Sequence, residues 1–160
     1  MTTTAIAPTA QLTQVLTFVL AGEEYAVDIL RVKEIIEYNS LTRVPGMPAT
    51  VRGVINLRGR VVPVVDLALR FGLPESVITP RTSIVMVELA GTDGDIVIGI
   101  ITDSVSQVLD LDPEQIQPTP SFGTSVGAEF LNGMAERGGE KFVMLLNIDR
   151  ALGADAFVQV

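Results

Sequence analysis

The 160-residue chain contains no cysteine and no histidine. The first absence excludes disulfides, thiolate nucleophiles and Cys-ligated zinc, so stability must come from packing. The second removes the commonest general base, the commonest transition-metal ligand and the usual activator of a serine nucleophile, which argues against most hydrolase and metalloenzyme chemistry. Tryptophan is also absent and aromatics make up only 5% of the chain, which carries a net charge of −8. With no aromatic-plus-basic stripe and a charge that repels phosphate, nucleic-acid binding is not expected. Long apolar runs are missing too. Hydrophobic residues reach 48%, but they come in short runs such as Val61 to Val65 and Ile96 to Ile101, each broken by Gly, Pro or charge. Such runs read as buried strands, so no membrane insertion is expected. The Thr- and Ala-rich stretch Met1 to Gln14 has no basic n-region and no continuous apolar core, so no signal peptide is expected and the predicted location is cytoplasmic.

What charge there is lies unevenly. Between Leu41 and Ser83, arginines 43, 52, 58, 60, 70 and 81 face only Asp66 and Glu75, a net of +4 that leaves −12 for the remainder. A basic sector on an acidic protein suggests a surface meeting a partner that carries carboxylates; scattered, solvated arginines are the plain alternative.

Along the chain, Leu16 to Leu20 and Tyr25 to Ile29 predict strands around a tight turn at Ala21 to Glu24. Leu30 to Glu37 fits neither period cleanly and predicts a helical turn followed by a strand. Asn39 to Pro48 is a loop. Val51 to Leu57 and Val61 to Leu67 form a second hairpin, in which Pro63 predicts an edge strand or a bulge. A short helix from Asp66 to Phe71 is expected to stop at Gly72. The second half repeats the plan, with strands Ser83 to Leu89 and Ile96 to Ile101 around a turn at Ala90 to Asp95. A weak internal match sets Val32 to Ile35 over Val105 to Val108 and Gly53-Val54 over Gly133-Met134. The expected division is a tail over 1–14, a domain over 15–153 and a tail over 154–160. Within the domain, a first lobe lies mainly at 15–82, a second mainly at 83–147 and a short helix at about 148–153. Many short strands and almost no long helical pattern argue for an all-β fold of two small barrels sharing a seam.

Several residues invite a chemical reading. Asp110, Asp112 and Glu114 alternate acids but lack the glycine and distal glutamate of a calcium loop; Asp112 before Pro113, with Gln115 following, is better read as a helix cap. Asp93-Gly94-Asp95 and Gly138-Gly139 read as turns. Asp28, Asp66 and Asp149 would be the carboxylates of an acidic enzyme site, although an Asp at a strand end more often caps amides or pairs with arginine. No phosphate loop is present. Glu34 and Arg58 are charges embedded in apolar stretches; they can form a charge-assisted pair at a groove rim, or one that merely orients the turn. Phe122, between Ser121 and Gly123, is either an exposed interface anchor or a core residue.

The run Val51-Arg52-Gly53-Val54-Ile55-Asn56-Leu57-Arg58-Gly59, then Val61-Val62-Pro63-Val64-Val65-Asp66-Leu67 and Arg70-Phe71-Gly72, strongly resembles the CheW family of chemotaxis coupling proteins. The likeness extends back through Arg43-Val44-Pro45, Val32 to Ile36 and Tyr25 to Ile29, and forward through Asp103-Ser104-Val105, Ile116, Phe130 to Gly133 and Leu145 to Ile148. It covers roughly Thr17 to Leu152. The resemblance implies two SH3-like five-stranded β-barrels packed through a common hydrophobic core, with a few short helices. It implies a non-catalytic scaffold, without cofactor or metal, that binds the cytoplasmic tip of a chemoreceptor and the regulatory domain of the histidine kinase CheA. Further copies in rings, at receptor arrays on the inner face of the membrane, are also implied. Carried over residue by residue, Val32, Glu34, Ile35, Gly53 and Arg58 are the expected receptor-binding residues, and Gln117, Pro118 and Phe122 the kinase-binding ones. The turn Ala90 to Asp95 looks longer than in compact members, and Asn147 stands where an aspartate is frequent. A CheV-like adaptor or a CheA regulatory domain is the nearest alternative, and the acidic-site enzyme a remoter one.

Overall fold

A computed structural model describes residues 13–89, 96–118, 130–138 and 141–152. Its strands are β1 (Thr13–Leu20), β2 (Glu23–Asp28), β3 (Val32–Glu37), β4 (Val51–Leu57), β5 (Arg60–Val65), β6 (Ser83–Leu89), β7 (Ile96–Thr102), β8 (Ser104–Leu111), β9 (Ile116–Gln117), β10 (Leu131–Glu136) and β11 (Phe142–Leu146). Two short α-helices, α1 (Leu67–Arg70) and α2 (Ile148–Leu152), and 3₁₀ turns at Ile29–Arg31 and Pro113–Gln115 complete the described elements. The ambiguous segment after Ile29 is therefore one 3₁₀ turn and then a strand, as its mixed period suggested. Asp66 caps α1 by accepting from the Ala68 amide, and Gly72 follows at φ +81°. At Asp112 the predicted capping box is complete, with Gln115 reaching back to the cap amide. The turn at 90–95 lies outside the described residues.

The strands form two sheets, β8-β1-β2-β11-β10-β9 and β3-β6-β7-β5-β4. Each has five main strands, as the SH3-like expectation requires; β9 adds a two-residue sixth. Successive side chains of a strand point to opposite faces, and here both faces are covered. Ile84 and Met86 fill the interior of the second lobe, while Val85 and Val87 enter a seam between the lobes. Val143 and Leu145 fill the first lobe, while Met144 and Leu146 enter the same seam. Double burial explains why these strands read as unbroken apolar runs rather than alternating ones. Half of the chain's eight aromatics, Phe18, Tyr25, Phe71 and Phe130, form a ladder in this seam, with ring centroids 5.3–6.1 Å apart.

The expected division into 15–82 and 83–147 does not follow the sheets, because each sheet draws on both halves of the chain. The hairpin β1–β2 sits with β8 to β11, and the hairpin β6–β7 sits with β3 to β5. Parallel pairing locks each hairpin into the opposite half: Tyr25 and Ala26 of β2 lie beside Met144 and Leu145 of β11, and Gly99 and Ile100 of β7 lie beside Val64 and Val65 of β5. The halves are similar to each other, as the internal match indicated, but they have exchanged hairpins. Pro63 supplies a second correction. Its strand is neither an edge nor bulged at that residue, since β5 has β4 on one side and β7 on the other. Val54, opposite Pro63, directs its amide and carbonyl away to Thr42, so the ladder needs no amide hydrogen from the proline.

Candidate functional site

β3 and β4 are the outer strands of the second sheet, and Glu34 on β3 and Arg58 at the tip of the β4–β5 hairpin bridge them. The pair is bidentate: Arg58 Nη1 donates to Glu34 Oε1 at 2.8 Å and Nη2 to Oε2 at 3.0 Å. This bridge and the Thr42–Val54 pairing close the sheet on itself. Arg58 and Gly59 both have positive φ, 53° and 83°, as a type I′ hairpin turn requires. The Asn56 side chain accepts from the Gly59 amide at 2.8 Å and fixes the turn. A left-handed arginine costs roughly 1 kcal/mol. Its side chain is 73% exposed and that of Glu34 only 28%, so one partner is held by the barrel and the other is presented to solvent.

On the same sheet, Ile35 of β3 and Val61 of β5 are exposed apolar side chains. Val32 is half-buried and packs on the seam. Gly53 lies five residues from Arg58 along β4, roughly 16 Å in an extended strand. A Cβ there would stand 2.7 Å from the Thr42 carbonyl oxygen. The structure thus brings Glu34 and Arg58 together, sets Ile35 on the opposite face of β3 from Glu34, with its partner Val85 on the seam side, and gives Gly53 a packing role at the far end of the strand. Of the second predicted set, Gln117 pairs with Met134 at the border of the first sheet, and it and Pro118 are exposed; Phe122 lies outside the described residues.

Three of the six arginines of the basic sector are engaged internally. Arg52 binds Asp66 at 2.9 Å and Glu75 at 3.2 Å, Arg58 binds Glu34, and Arg70 donates to the Ala151 carbonyl and lies over Phe130. The three carboxylates of the enzyme reading hold separate structural posts. Asp28 caps the 3₁₀ turn at Leu30, and Asp149 takes a hydrogen bond from Arg31. Asp66, fully buried, accepts from Arg52, Ala68, and both the amide and hydroxyl of Ser76. Asp66 thus both caps amides and pairs with an arginine, the plain reading of a strand-end Asp; its partners Arg52 and Ser76 went unread, although Arg52 and Asp66 each follow one member of what proves to be a cross-strand pair, Val51 and Val65.

Comparison with known proteins bears on the family and the fold. The profile of the CheW-like domain matches residues 14–156. The chemotaxis protein CheW of Klebsiella aerogenes is 37% identical over 145 residues, covering 91% of this chain and 84% of its own. The FrzA protein of Myxococcus xanthus is 30% identical over 121 residues, 76% of this chain and 73% of its own. The crystal structure of the scaffolding protein TtCheW from Thermoanaerobacter tengcongensis superposes with a TM-score of 0.77 at 32% identity, covering 86% of each chain.

Proposed function

The chain belongs to the CheW-like domain family, and on that footing we propose that it is a non-catalytic adaptor coupling the cytoplasmic tip of a chemoreceptor to the regulatory domain of the histidine kinase CheA. The observation that carries this reading is the exposed Glu34–Arg58 pair. An ion pair at such exposure contributes about 0–1 kcal/mol, no more than the left-handed backbone at Arg58 costs. Stability therefore does not explain it. A preset charge pair on a sheet that also exposes Ile35 and Val61 suits a helical hairpin, whose apolar ridge provides area and whose polar groups fix register. The surface around Gln117 and Pro118, on the other lobe, is the proposed kinase contact, and further copies of the chain are proposed ring neighbours. Such contacts are small, so they hold through multivalency in an array on the cytoplasmic side of the membrane. No helix among the described residues is long and apolar enough to cross a bilayer.

The test is a pull-down with a receptor cytoplasmic hairpin and, separately, with a CheA regulatory domain. Arg58→Ala and Glu34→Ala should keep their fold and kinase binding while losing at least about 30-fold in receptor affinity, the scale of an interface hot spot. Folded variants with undiminished receptor affinity would remove the assignment.

A further inference from the structure

A hollow of about 330 Å³ lies between residues 43–52 and α1, and none of Glu34, Arg58, Gln117 and Pro118 lines it. Its apolar part is formed by Val44, Met47 and Leu69, and its charged part by Arg43, Arg52 and Glu75. Val44 is exposed although large and apolar. Among the described residues Arg43 makes no ion pair, while the Arg52 guanidinium is shared between two carboxylates of unlike status. Asp66 is buried and held by four donors. Glu75, 3.2 Å away, is 56% exposed, whereas the Arg52 side chain is only 16% exposed.

We infer that this hollow is a docking site for an acidic peptide segment, one apolar side chain flanked by carboxylates, and that Glu75 occupies its charge position until such a segment arrives. The volume accepts a single large aliphatic side chain, in the low range for ligand sites. Arg43 supplies an uncommitted cation at the rim. Arg52 supplies a second one, held by the buried Asp66, whose Nη1 is shared with the solvent-exposed carboxylate of Glu75. An incoming carboxylate displaces Glu75 without disturbing Asp66, so the exchange leaves the buried network intact. This site is independent of the Glu34–Arg58 assignment, which is expected to hold or fail separately.

The probe is acetyl-Glu-Leu-Glu-amide, titrated into the full chain carrying ¹³C-methyl methionine, with the Lys-Leu-Lys and Gln-Leu-Gln peptides for comparison. The Met47 methyl should shift saturably with the acidic peptide and much less with the other two, while the buried Met86 and Met144 stay still. Glu75→Gln removes the competing charge and should tighten binding about five-fold, the upper range for an exposed ion pair. Arg43→Glu, a surface change that spares Asp66, should abolish the shift. Equal response to acidic and basic peptides, an unmoved Met47 methyl, or a Glu75→Gln protein that binds no more tightly would each overturn the proposal.

Discussion

Replacing Gly53 with alanine separates a packing role from a binding one. The new methyl would stand 2.7 Å from the Thr42 carbonyl oxygen and 2.9 Å from Leu41 Cβ, with φ at +157°. Thr42 cannot easily retreat, because its carbonyl accepts from the Val54 amide at 2.8 Å and its amide donates to the Val54 carbonyl at 3.0 Å. Overpacking of a tight site costs about 1–3 kcal/mol and an unfavourable backbone conformation about 1 more, so a loss near 3 kcal/mol is expected. For a chain of this size each kcal/mol moves Tm by about 2–4 °C, giving a fall of roughly 6–12 °C in a calorimetric or circular-dichroism melt. Gly72→Ala is the control: φ is +81° but nothing lies within 4 Å, so only the conformational cost of about 1 kcal/mol remains. Gly133→Ala should behave like Gly53→Ala, since its Cβ would meet the Gln117 carbonyl oxygen at 2.8 Å. A Gly53→Ala protein that melts no lower than the Gly72→Ala control refutes the reasoning.

Three further outcomes are expected. Asp66→Ala strands the Ser76 and Ala68 donors, leaves the largely buried Arg52 only the exposed Glu75, and should cost about 3–5 kcal/mol in urea denaturation; a loss under about 1 kcal/mol would mean the network is dispensable. Thr17→Val removes the fully buried hydroxyl that accepts from the Gln107 amide and donates to the Gln107 carbonyl, and should cost about 1–3 kcal/mol by the same assay. Ile100→Ala, in the seam, should lower stability by about 2–5 kcal/mol in one cooperative step reported identically by probes in either lobe; two separate transitions would show that the lobes unfold independently.

Local chemistry made much of this molecule readable in advance. Asp112-Pro113 with Gln115 announced a cap and Gly72 a helix stop, because each depends on a few neighbouring backbone groups. The Glu34–Arg58 pair was also legible, since two charges in apolar strands need an explanation wherever they fall. What escaped was pairing between distant segments. Nothing in the run Tyr25 to Asp28 says that its neighbour is Met144 rather than a strand of its own half, because strands buried on both faces carry no polar side to orient them. Pro63 was misjudged for the same reason, as its tolerance depends on Thr42, twenty-one residues away, taking the hydrogen bonds of Val54. The Arg52–Asp66–Glu75 arrangement likewise appears only once the register is known.

The exchange of hairpins bears on how the chain is made. All five strands of the second lobe, Val32 to Thr102, emerge from a ribosome in one uninterrupted stretch and can close as soon as Thr102 is free. The first lobe has no such privilege: its opening hairpin, finished at Asp28, has no permanent neighbour until β8 appears at Ser104 and β11 ends at Leu146. At about 5–20 residues per second that wait lasts roughly 6–24 s. During it, Phe18, Tyr25 and Val27 have only the half-built seam for shelter, which makes the newborn hairpin the segment most in need of a chaperone.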